Sequence, residues 1–333
     1  MFLVKPVYYY GIMQRRSACT GAVLLHCASP FVVVRVYQSL FYLLALSMDD
    51  NSFRQILDRL GLSWQGYAKM RKGVKKRIGR HMRELGLPTM DDYLRALSDP
   101  EILKKVERLM SVSISHFFRD QNLWRTLEEE ILPDITAGHS EKIHAWSAGC
   151  ALGQEAYSLA IKWDMLKKKR TALPELRIWA TDINPDYIGK AMEGVYGRSS
   201  LKGLSDEIKS VYFHACEDRK DYCVADYLKK YIAWEVHNLM KERPPAERFK
   251  IIFLRNSLFT YYRRECMSSV FLNVLDSLDD GGFFIIGSHE RLPSQTHTLS
   301  PFKGSSYIFQ KTKTPTRILP RYRGIIDFVD PWT

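Results

Sequence analysis

The sequence predicts an α/β protein in which a small all-α N-terminal domain precedes a doubly wound sheet. Apolar residues recur at periods of three and four from Ser52 to about Arg119, as on amphipathic helices. After Gln121, strand-like segments alternate with helix-like ones, which is typical of a parallel sheet covered by helices on both faces. The first of these strands runs into a glycine-containing turn before a helix, and such sheets bind their ligands at the carboxyl ends of the strands.

Composition bounds the class of protein. The chain has 333 residues, of which 46% are hydrophobic and 26% charged, which excludes a disordered, collagen-like or coiled-coil protein. The length predicts two domains or one large one. Lys and Arg number 49 against 37 Asp and Glu, a net charge of +12. Such an excess suits nucleic acid, a membrane surface or an acidic protein, and composition alone does not choose among them.

The spacing of the cysteines does not indicate a metal site or a set of disulfides. They are Cys19, Cys27, Cys150, Cys216, Cys223 and Cys266. The sequence has no C-x-x-C pair and no cysteine-histidine cluster at zinc spacing. The pattern therefore predicts neither a structural metal site nor a disulfide framework, and it indicates a reducing, cytoplasmic location.

Residues 1–47 differ from the rest of the chain in their pattern of apolar and charged residues. The stretch 31–47 is apolar, contains Arg35 and falls short of the roughly 20 residues that a membrane span needs. It is either a signal peptide or anchor, or a gene-model extension ahead of a true start at Met48. The second interpretation is preferred because a helix-start pattern begins at Met48.

Residues 48–121 are predicted to form the helical N-terminal domain. Within it, residues 69–83 contain eight basic residues and no acidic one. On a helix, four of them share one stripe: Lys72, Lys76, Arg80 and Arg83. The stripe is either a merely solvated surface or a docking surface for a phosphate backbone or a carboxylate-rich helix. Lys and Arg outnumber Asp and Glu by 14 to 7 between residues 54 and 108, so more than half of the charge excess lies here.

Residues 122–312 are predicted to form the sheet domain. Strands are predicted at 142–147, 177–181, 232–237, 250–254, 282–287 and 306–310. Helices are predicted at 154–166, 185–192 and 264–277. The tail 313–333 is predicted to be a loosely packed extension.

Four strand ends carry the residue types of a ligand pocket. Small residues around Gly149 let the backbone approach a ligand, although a close contact between helix and strand explains them equally well. Asp182 ends the second strand, where an acid can accept both ribose hydroxyls of an adenosine; Asn184 suits the alternative role of helix cap. Asn238 and Asn256 can read an adenine edge or hold a carboxylate. The glycine turn is neither a Walker loop nor a full dinucleotide fingerprint.

Six motifs occur in order between residue 52 and about residue 311. They are SHFFRD at 115–120, WSAGC with GQEAYS at 146–158, ATDI at 180–183, NL at 238–239, RN at 255–256 and the segment 282–290. This series closely resembles the CheR family, the S-adenosylmethionine-dependent methyltransferases of bacterial chemotaxis. The resemblance implies a helical front domain joined to a Rossmann-like class I methyltransferase sheet. It also implies methyl transfer from S-adenosyl-L-methionine to receptor glutamates, which gives glutamyl methyl esters.

The resemblance implies a set of site residues by position. The cofactor contacts are Ser113, Ser115, Arg119, Glu155, Asp182, Asn238, Leu239, Arg255 and Asn256, to which the glycine turn adds Gly149. A glutamate is ionised near neutral pH, so the reaction needs alignment and partial desolvation but no general base or nucleophile. Arg119 is the predicted residue for positioning the acceptor carboxylate, with Tyr261 second. No metal is expected.

Three positions differ from the family pattern and leave the acceptor open. Gln154 and Ala156 stand where an acid and a proline are usual, and Thr260 stands in the position of a tyrosine, with Tyr261 next to it. The segment 216–224, where chemotaxis members can carry a small β insertion that docks a receptor tail, is short and lacks glycines. The alternatives are a CheR-like enzyme with a non-chemotaxis protein or small-molecule acceptor, and a non-catalytic cofactor-sensing module. The preferred partner is an acidic helical protein, a methyl-accepting receptor. Nucleic acid is not expected, the membrane is reached only through the receptor, and a monomer is expected.

Overall fold

The computed structural model describes residues 48–138, 141–170, 172–217, 220–293 and 297–312. The expectations for residues 1–47 and for the tail 313–333 lie outside the described residues. Among the residues that are described, none of the helices combines the length and the apolar character that a membrane crossing requires.

The described chain begins with a group of helices, called here the front helices. They are α1 (Asp50–Arg59), α2 (Trp64–Tyr67), α3 (Arg71–Glu84), α4 (Met90–Ala96) and α5 (Pro100–Leu109). The side chains of Asp49, Thr89 and Asp99 cap α1, α4 and α5 by accepting hydrogen bonds from backbone N–H groups of the first turn. The apolar sides of these helices share one core that includes Phe53, Ile78 and Val106.

Helix α3 carries the basic run, and the predicted basic stripe lies on its exposed side. Val74, Ile78 and Met82 are buried in the core of the front helices. On the opposite side, four basic residues are exposed: Lys72, Lys76, Arg80 and Arg83. We call these four residues the basic face.

Strands and helices alternate through the rest of the chain. The strands are β1 (Lys142–Ala148), β2 (Glu175–Asp182), β3 (Val195–Tyr196), β4 (Phe213–Ala215), β5 (Tyr222–Val224), β6 (Ile232–Val236), β7 (Phe249–Phe253), β8 (Leu278–Ile285), β9 (Leu299–Pro301) and β10 (Ile308–Lys311). The helices are α6 (Gln121–Thr126), α7 (Leu132–Thr136), α8 (Gln154–Lys169), α9 (Pro185–Glu193), α10 (Asp206–Tyr212), α11 (Leu258–Tyr261) and α12 (Arg264–Ser277), and a π-helical turn (Leu127–Ile131) joins α6 to α7.

The main sheet has seven strands in the order β6-β2-β1-β7-β8-β10-β9. The first five of these pair in parallel, and β10 and β9 are added antiparallel. The predicted doubly wound sheet is confirmed, although β8 begins four residues earlier than expected, at Leu278. Apolar cores lie on both faces, one including Tyr157 and Trp163 of α8 and the other including Phe271 of α12. The strand order reverses between β1 and β7: β2 and β6 are added on one side of β1, and β7 and β8 are added on the other.

A second, small sheet corrects one expectation, that the cysteines form no disulfide. Strands β3, β5 and β4 form an antiparallel three-stranded sheet, so a small β insertion is present despite the short segment and the lack of glycines. Cys216 and Cys223 are joined by a disulfide, whereas the scattered cysteines predicted none. The pairing of β4 with β5 brings the two residues together, and such pairing is invisible in cysteine spacing alone.

Candidate functional site

Two cavities lie at the carboxyl ends of the parallel strands. The larger, called here the large cleft, has a volume of about 360 Å³ and is lined by residues of the front helices and of the ends of β2, β6 and β7. The smaller, the inner cavity, has a volume of about 50 Å³. Val112, Gly149, Ala151 and Asn256 line both. A pocket between β1 and β7 is the position in which open α/β sheets bind their ligands.

The turn after β1 forms the floor that the two cavities share. The N–H groups of Gly149 and Cys150 both donate to the Thr181 carbonyl, at 2.8 and 2.9 Å. Gly149 has φ of +80°, and a Cβ there would lie 3.1 Å from the Cβ of Ser257. A side chain would therefore be strained and would close the space between β1 and β7.

Asp182 lies at the end of β2 and lines the large cleft. Its carboxylate accepts hydrogen bonds from the backbone N–H groups of Ala151 at 3.0 Å and Asn184 at 2.9 Å. Burial raises the pKa of Asp182, and these two hydrogen bonds oppose the rise. Asn184 caps α9 by accepting from the Asp186 N–H at 3.0 Å, so the cap predicted for it is present. Each carboxylate oxygen of Asp182 accepts one of these hydrogen bonds and keeps capacity for another, and the residue lines the large cleft.

The turn after β6 closes one end of the large cleft. Asn238 Oδ1 accepts from the Met240 N–H at 3.0 Å, and its Nδ2 donates to Glu107 Oε2 at 3.5 Å. Glu107 belongs to α5 and also forms an ion pair of 2.7 Å with Lys241. An acid of the front helices therefore joins the β6 turn across the cleft.

A buried ion cluster borders the inner cavity. Arg255, whose side chain is 5% exposed, pairs with Glu155 at 2.9 Å through Nη1 and with Asp120 through Nη2. The other oxygen of Glu155 accepts from Ser147 Oγ at 2.7 Å. One guanidinium against two carboxylates leaves this cluster with a net negative charge.

Thr260, which stands in the family's usual tyrosine position, has a partner on the next strand end. Its hydroxyl donates to Glu290, which is buried in the loop after β8. The second oxygen of Glu290 accepts from the backbone N–H groups of Asn256 at 2.9 Å and Gly287 at 2.7 Å. Asn256 has φ of +52°, and this carboxylate holds its backbone in that conformation.

Arg119 lines the inner cavity beside Ser115. Its guanidinium donates to the Ile114 carbonyl at 3.0 Å, and no carboxylate of the described residues lies within ion-pair distance of it. It is therefore a cation with capacity for a further acidic partner. Ser113 lines neither cavity; its Oγ is buried without a hydrogen-bond partner among the described residues.

Tyr261 lies on the wall of the large cleft, where the front helices meet α11. Its ring packs against Tyr67 with the centroids 4.9 Å apart, and its carbonyl accepts from the Ser63 N–H at 2.8 Å. Burial raises the pKa of Tyr261, while the positive charge of Arg119 opposes the rise. The phenol therefore stays protonated at neutral pH and can donate a hydrogen bond.

The structure brings most of the predicted site residues together. The inner cavity is lined by Ser115, Arg119, Glu155 and Arg255, the large cleft by Asp182, Asn238, Leu239 and Tyr261, and both by Gly149 and Asn256. The basic face lines neither cavity. Among the described residues there is no group of three or more metal-ligating side chains.

Three acids of the site were not singled out from the sequence. Asp120 and Glu290 lie inside the motifs that carry the family resemblance, but Glu290 lies in the loop beyond β8 and not at the last residue of a strand, so the reasoning from strand ends did not mark it. Glu107 lies in the last turn of α5, and no local pattern marks it.

A family model and several known proteins resemble this chain. A family model described as CheR methyltransferase, SAM binding domain, matches residues 113–308. Chemotaxis protein methyltransferase 1 of Vibrio cholerae is 29% identical over 245 residues, which is 72% of this chain and 88% of that protein. A probable chemotaxis protein methyltransferase of Rhizobium etli is 28% identical over 229 residues, 67% of this chain and 85% of that protein. The solved structure of a TehB-like SAM-dependent methyltransferase from Corynebacterium glutamicum is 14% identical and covers 58% of this chain and 96% of that chain, with a TM-score of 0.32. The family model spans more than half of the chain, and the chain therefore belongs to the CheR family of S-adenosylmethionine-dependent methyltransferases.

Proposed function

We propose that this protein transfers the methyl group of S-adenosylmethionine to glutamate side chains of a methyl-accepting receptor and so forms glutamyl methyl esters. The observation that carries the proposal is the pair of cavities at the ends of β1, β2, β6 and β7, inside the segment that matches the family's cofactor-binding domain. Relatives that cover most of this chain are named chemotaxis protein methyltransferases.

The residues around the two cavities fit this cofactor in charge and in hydrogen-bonding capacity. Asp182 offers carboxylate oxygens to ribose hydroxyls at the end of β2. The cluster of Arg255, Glu155 and Asp120 is net negative, which suits a cationic amino group and a sulfonium. When bound, S-adenosylmethionine supplies an electrophilic methyl group. We assign Ser113, Ser115, Gly149, Asn238, Leu239 and Asn256 to the same binding site.

Arg119 and Tyr261 are assigned to the acceptor. A glutamate carboxylate is ionised at neutral pH, so no residue has to remove a proton from it. Arg119 has no carboxylate partner among the described residues and can hold the incoming one by charge-assisted hydrogen bonds. Tyr261 keeps its proton and can donate to the same carboxylate. Their role is alignment and desolvation, which supply rate without acid or base catalysis.

The basic face is assigned to docking of an acidic helical segment of the receptor. Lys72, Lys76, Arg80 and Arg83 are exposed, and none of them forms an ion pair within the part of the chain that the structure describes. The same helix is fixed to the cleft wall, because Arg77 donates to the carbonyls of Leu109 and Ser111 at 2.8 Å each. A partner on the basic face is therefore held beside the segment that leads to Ser115 and Arg119. Nucleic acid is not a partner in this proposal, and the protein acts as a monomer.

The test is methyl transfer with methyl-labelled cofactor. The protein is incubated with receptor-containing membranes, and label released from the receptor by mild base is counted, because methyl esters hydrolyse in base. Label on the receptor supports the proposal. Label found only on another protein or on a small molecule, or tight cofactor binding without any transfer, contradicts the assigned acceptor.

A pair of variants tests docking by the basic face. Lys76→Ala/Arg80→Ala is expected to raise KM for the receptor while kcat and the affinity for S-adenosylhomocysteine stay unchanged. Lys167→Ala/Lys202→Ala removes the same charge from two exposed positions elsewhere and is expected to leave KM unchanged. An equal effect of the two double variants would show that only the net charge matters.

A further inference from the structure

Arg119 lies between two residues that have an uncommon backbone conformation. Phe118 has φ of +50° and Asp120 has φ of +65°. Both values fall in the left-handed region, which residues other than glycine seldom adopt. Such residues persist beside a functional group only where the surrounding structure holds them. The orientation of Arg119 therefore depends on the contacts that fix this segment.

Two contacts fix the residues on either side of Arg119. The Phe118 N–H donates to Ser158 Oγ of α8 at 2.9 Å. The Asp120 carboxylate forms its ion pair with Arg255 in the turn after β7. These contacts hold the neighbours, but neither of them reaches the peptide group that joins Arg119 to Asp120.

Trp124 of α6 contacts that peptide group directly. Its Nε1–H donates to the Arg119 carbonyl at 2.9 Å. The residue is only 3% exposed, and its ring stacks on Phe253 of β7 with the centroids 5.9 Å apart and 20° between the planes. The Phe118 ring packs edge-on against the same indole at 5.3 Å between centroids. The indole N–H is therefore a donor that the sheet holds in a fixed position.

We propose that Trp124 is a positioning residue for methyl transfer, because its indole N–H stops the peptide group after Arg119 from rotating and so keeps the Arg119 guanidinium at the inner cavity. This inference rests on the proposed function, since Trp124 acts through the residue assigned to the acceptor carboxylate. Rotation of that peptide group changes ψ of Arg119 and φ of Asp120 together, and it would let Asp120 leave the left-handed region. Arg119 and Trp124 both line the inner cavity.

The guanidinium of Arg119 has a hydrogen bond of its own, but that bond does not supply this constraint. It runs to the Ile114 carbonyl at 3.0 Å. Ile114 belongs to the same loop, between α5 and α6, and is 50% exposed, so the bond moves with the loop. Trp124 instead ties the loop to β7 through its ring.

The test separates the indole N–H from the volume of the ring. Trp124→Phe removes the donor, and replacement of Trp124 by 3-benzothienylalanine removes only the N–H, because sulfur takes its place in a ring of nearly the same shape. Both changes are expected to lower the rate of methyl transfer to the receptor roughly tenfold at saturating cofactor. Trp163→Phe is the matched control, because Trp163 is equally buried but lines neither cavity, and it is expected to keep the wild-type rate.

A double-variant cycle with Arg119→Ala tests whether Trp124 acts through Arg119. Rates are measured in single turnovers with the protein in excess, so that slow variants remain measurable. The loss caused by Trp124→Phe is expected to disappear in the Arg119→Ala background, because the group that Trp124 positions is then absent. The same loss in both backgrounds would show a general structural role and would overturn the proposal.

Hydrogen–deuterium exchange of the full chain without cofactor adds a measurement that does not depend on activity. The loop between α5 and α6 is expected to exchange faster in both Trp124 variants than in the wild type and in Trp163→Phe. The benzothienylalanine variant keeps the ring packing, so it carries the test if Trp124→Phe fails to fold. A wild-type rate of transfer in that variant, or unchanged exchange of the loop, contradicts the role of Trp124 alone. Absence of transfer to the receptor by the wild type would instead contradict the proposed function.

Discussion

Gly66 lies where α2 crosses α11, and adding one methyl group there tests how the front helices hold the site. A Cβ on Gly66 would lie 2.1 Å from the Thr260 carbonyl oxygen and 3.1 Å from the Tyr261 Cα. Both are backbone atoms, so no side-chain rotation relieves the overlap, and the helices must separate by about 1 Å. Separation on that scale strains the hydrogen bond from the Ser63 N–H to the Tyr261 carbonyl, now 2.8 Å long.

We expect Gly66→Ala to lower the free energy of unfolding by about 1–3 kcal/mol, the usual effect of overpacking. We also expect the rate of methyl transfer to fall by up to about 100-fold, because a displacement of about 1 Å at a site can cost that much. Urea denaturation measures the first effect, and initial rates, taken where the variant is fully folded, measure the second.

Gly73→Ala is the matched control for this substitution. Gly73 is an exposed position inside α3, and the nearest atom to an added Cβ is the Arg77 Nη1 at 3.9 Å. Alanine there favours the helix by about 0.5–1 kcal/mol, so this variant should be more stable and fully active. If Gly66→Ala proves as stable and as active as Gly73→Ala, the contact between α2 and α11 does not position Tyr261 and the reasoning is wrong.

Three further predictions concern Asp182 and Thr260. Asp182→Asn replaces one acceptor oxygen by a donor and should weaken S-adenosylhomocysteine binding about tenfold or more in calorimetry; Asn184→Ala removes only the helix cap and should cost about 1 kcal/mol of stability without changing affinity. Thr260→Val removes the hydroxyl that donates to Glu290 and should lower the free energy of unfolding by about 1 kcal/mol in urea denaturation, whereas Thr260→Ser should not. Burial raises the pKa of Asp182 in the folded protein, so the protonated carboxyl contributes to the free energy of unfolding. This contribution is fully present below pH 3.8, the ordinary pKa of the group, and is lost as the pH rises through the raised pKa. Relative to Asp182→Asn, the wild type should therefore lose stability across that window, and parallel pH profiles would contradict the buried state of this carboxylate.

Local patterns predicted the elements of the sheet, because hydrophobic period and helix signals are properties of neighbouring residues. Helix α12 has the predicted bounds, and Asn184 caps α9 as its position before Pro185 indicated. The alternation of strands and helices predicted a parallel, doubly wound sheet but not the order of its strands, which depends on how the helices pack across it.

Contacts between distant residues were beyond these patterns. Arg255 meets Glu155 and Asp120, which are 100 and 135 positions away in sequence, and the polarity of each residue alone does not reveal the pairing. Glu107 reaches Lys241 only because α5 packs against the β6 turn. Long-range pairing of this kind is decided by packing, which a single sequence does not display.

Charge is divided between the two halves of the proposed site. In α3, Arg71 and Lys75 are used by Asp50 and Arg77 by backbone carbonyls, so the residues left for a partner are those of the basic face. The ion cluster beside the inner cavity is net negative, because Arg255 is outnumbered by Glu155 and Asp120.

An acidic partner is therefore attracted to the surface and repelled at the inner cavity unless a cation intervenes. Arg119 lines that cavity without a carboxylate partner among the described residues, so it can offset the repulsion for a single side chain. This distribution favours an acceptor in which one glutamate is presented from a larger acidic surface. A free small carboxylic acid would gain from Arg119 but not from the basic face, which is why the charge pattern supports a protein acceptor over the small-molecule alternative.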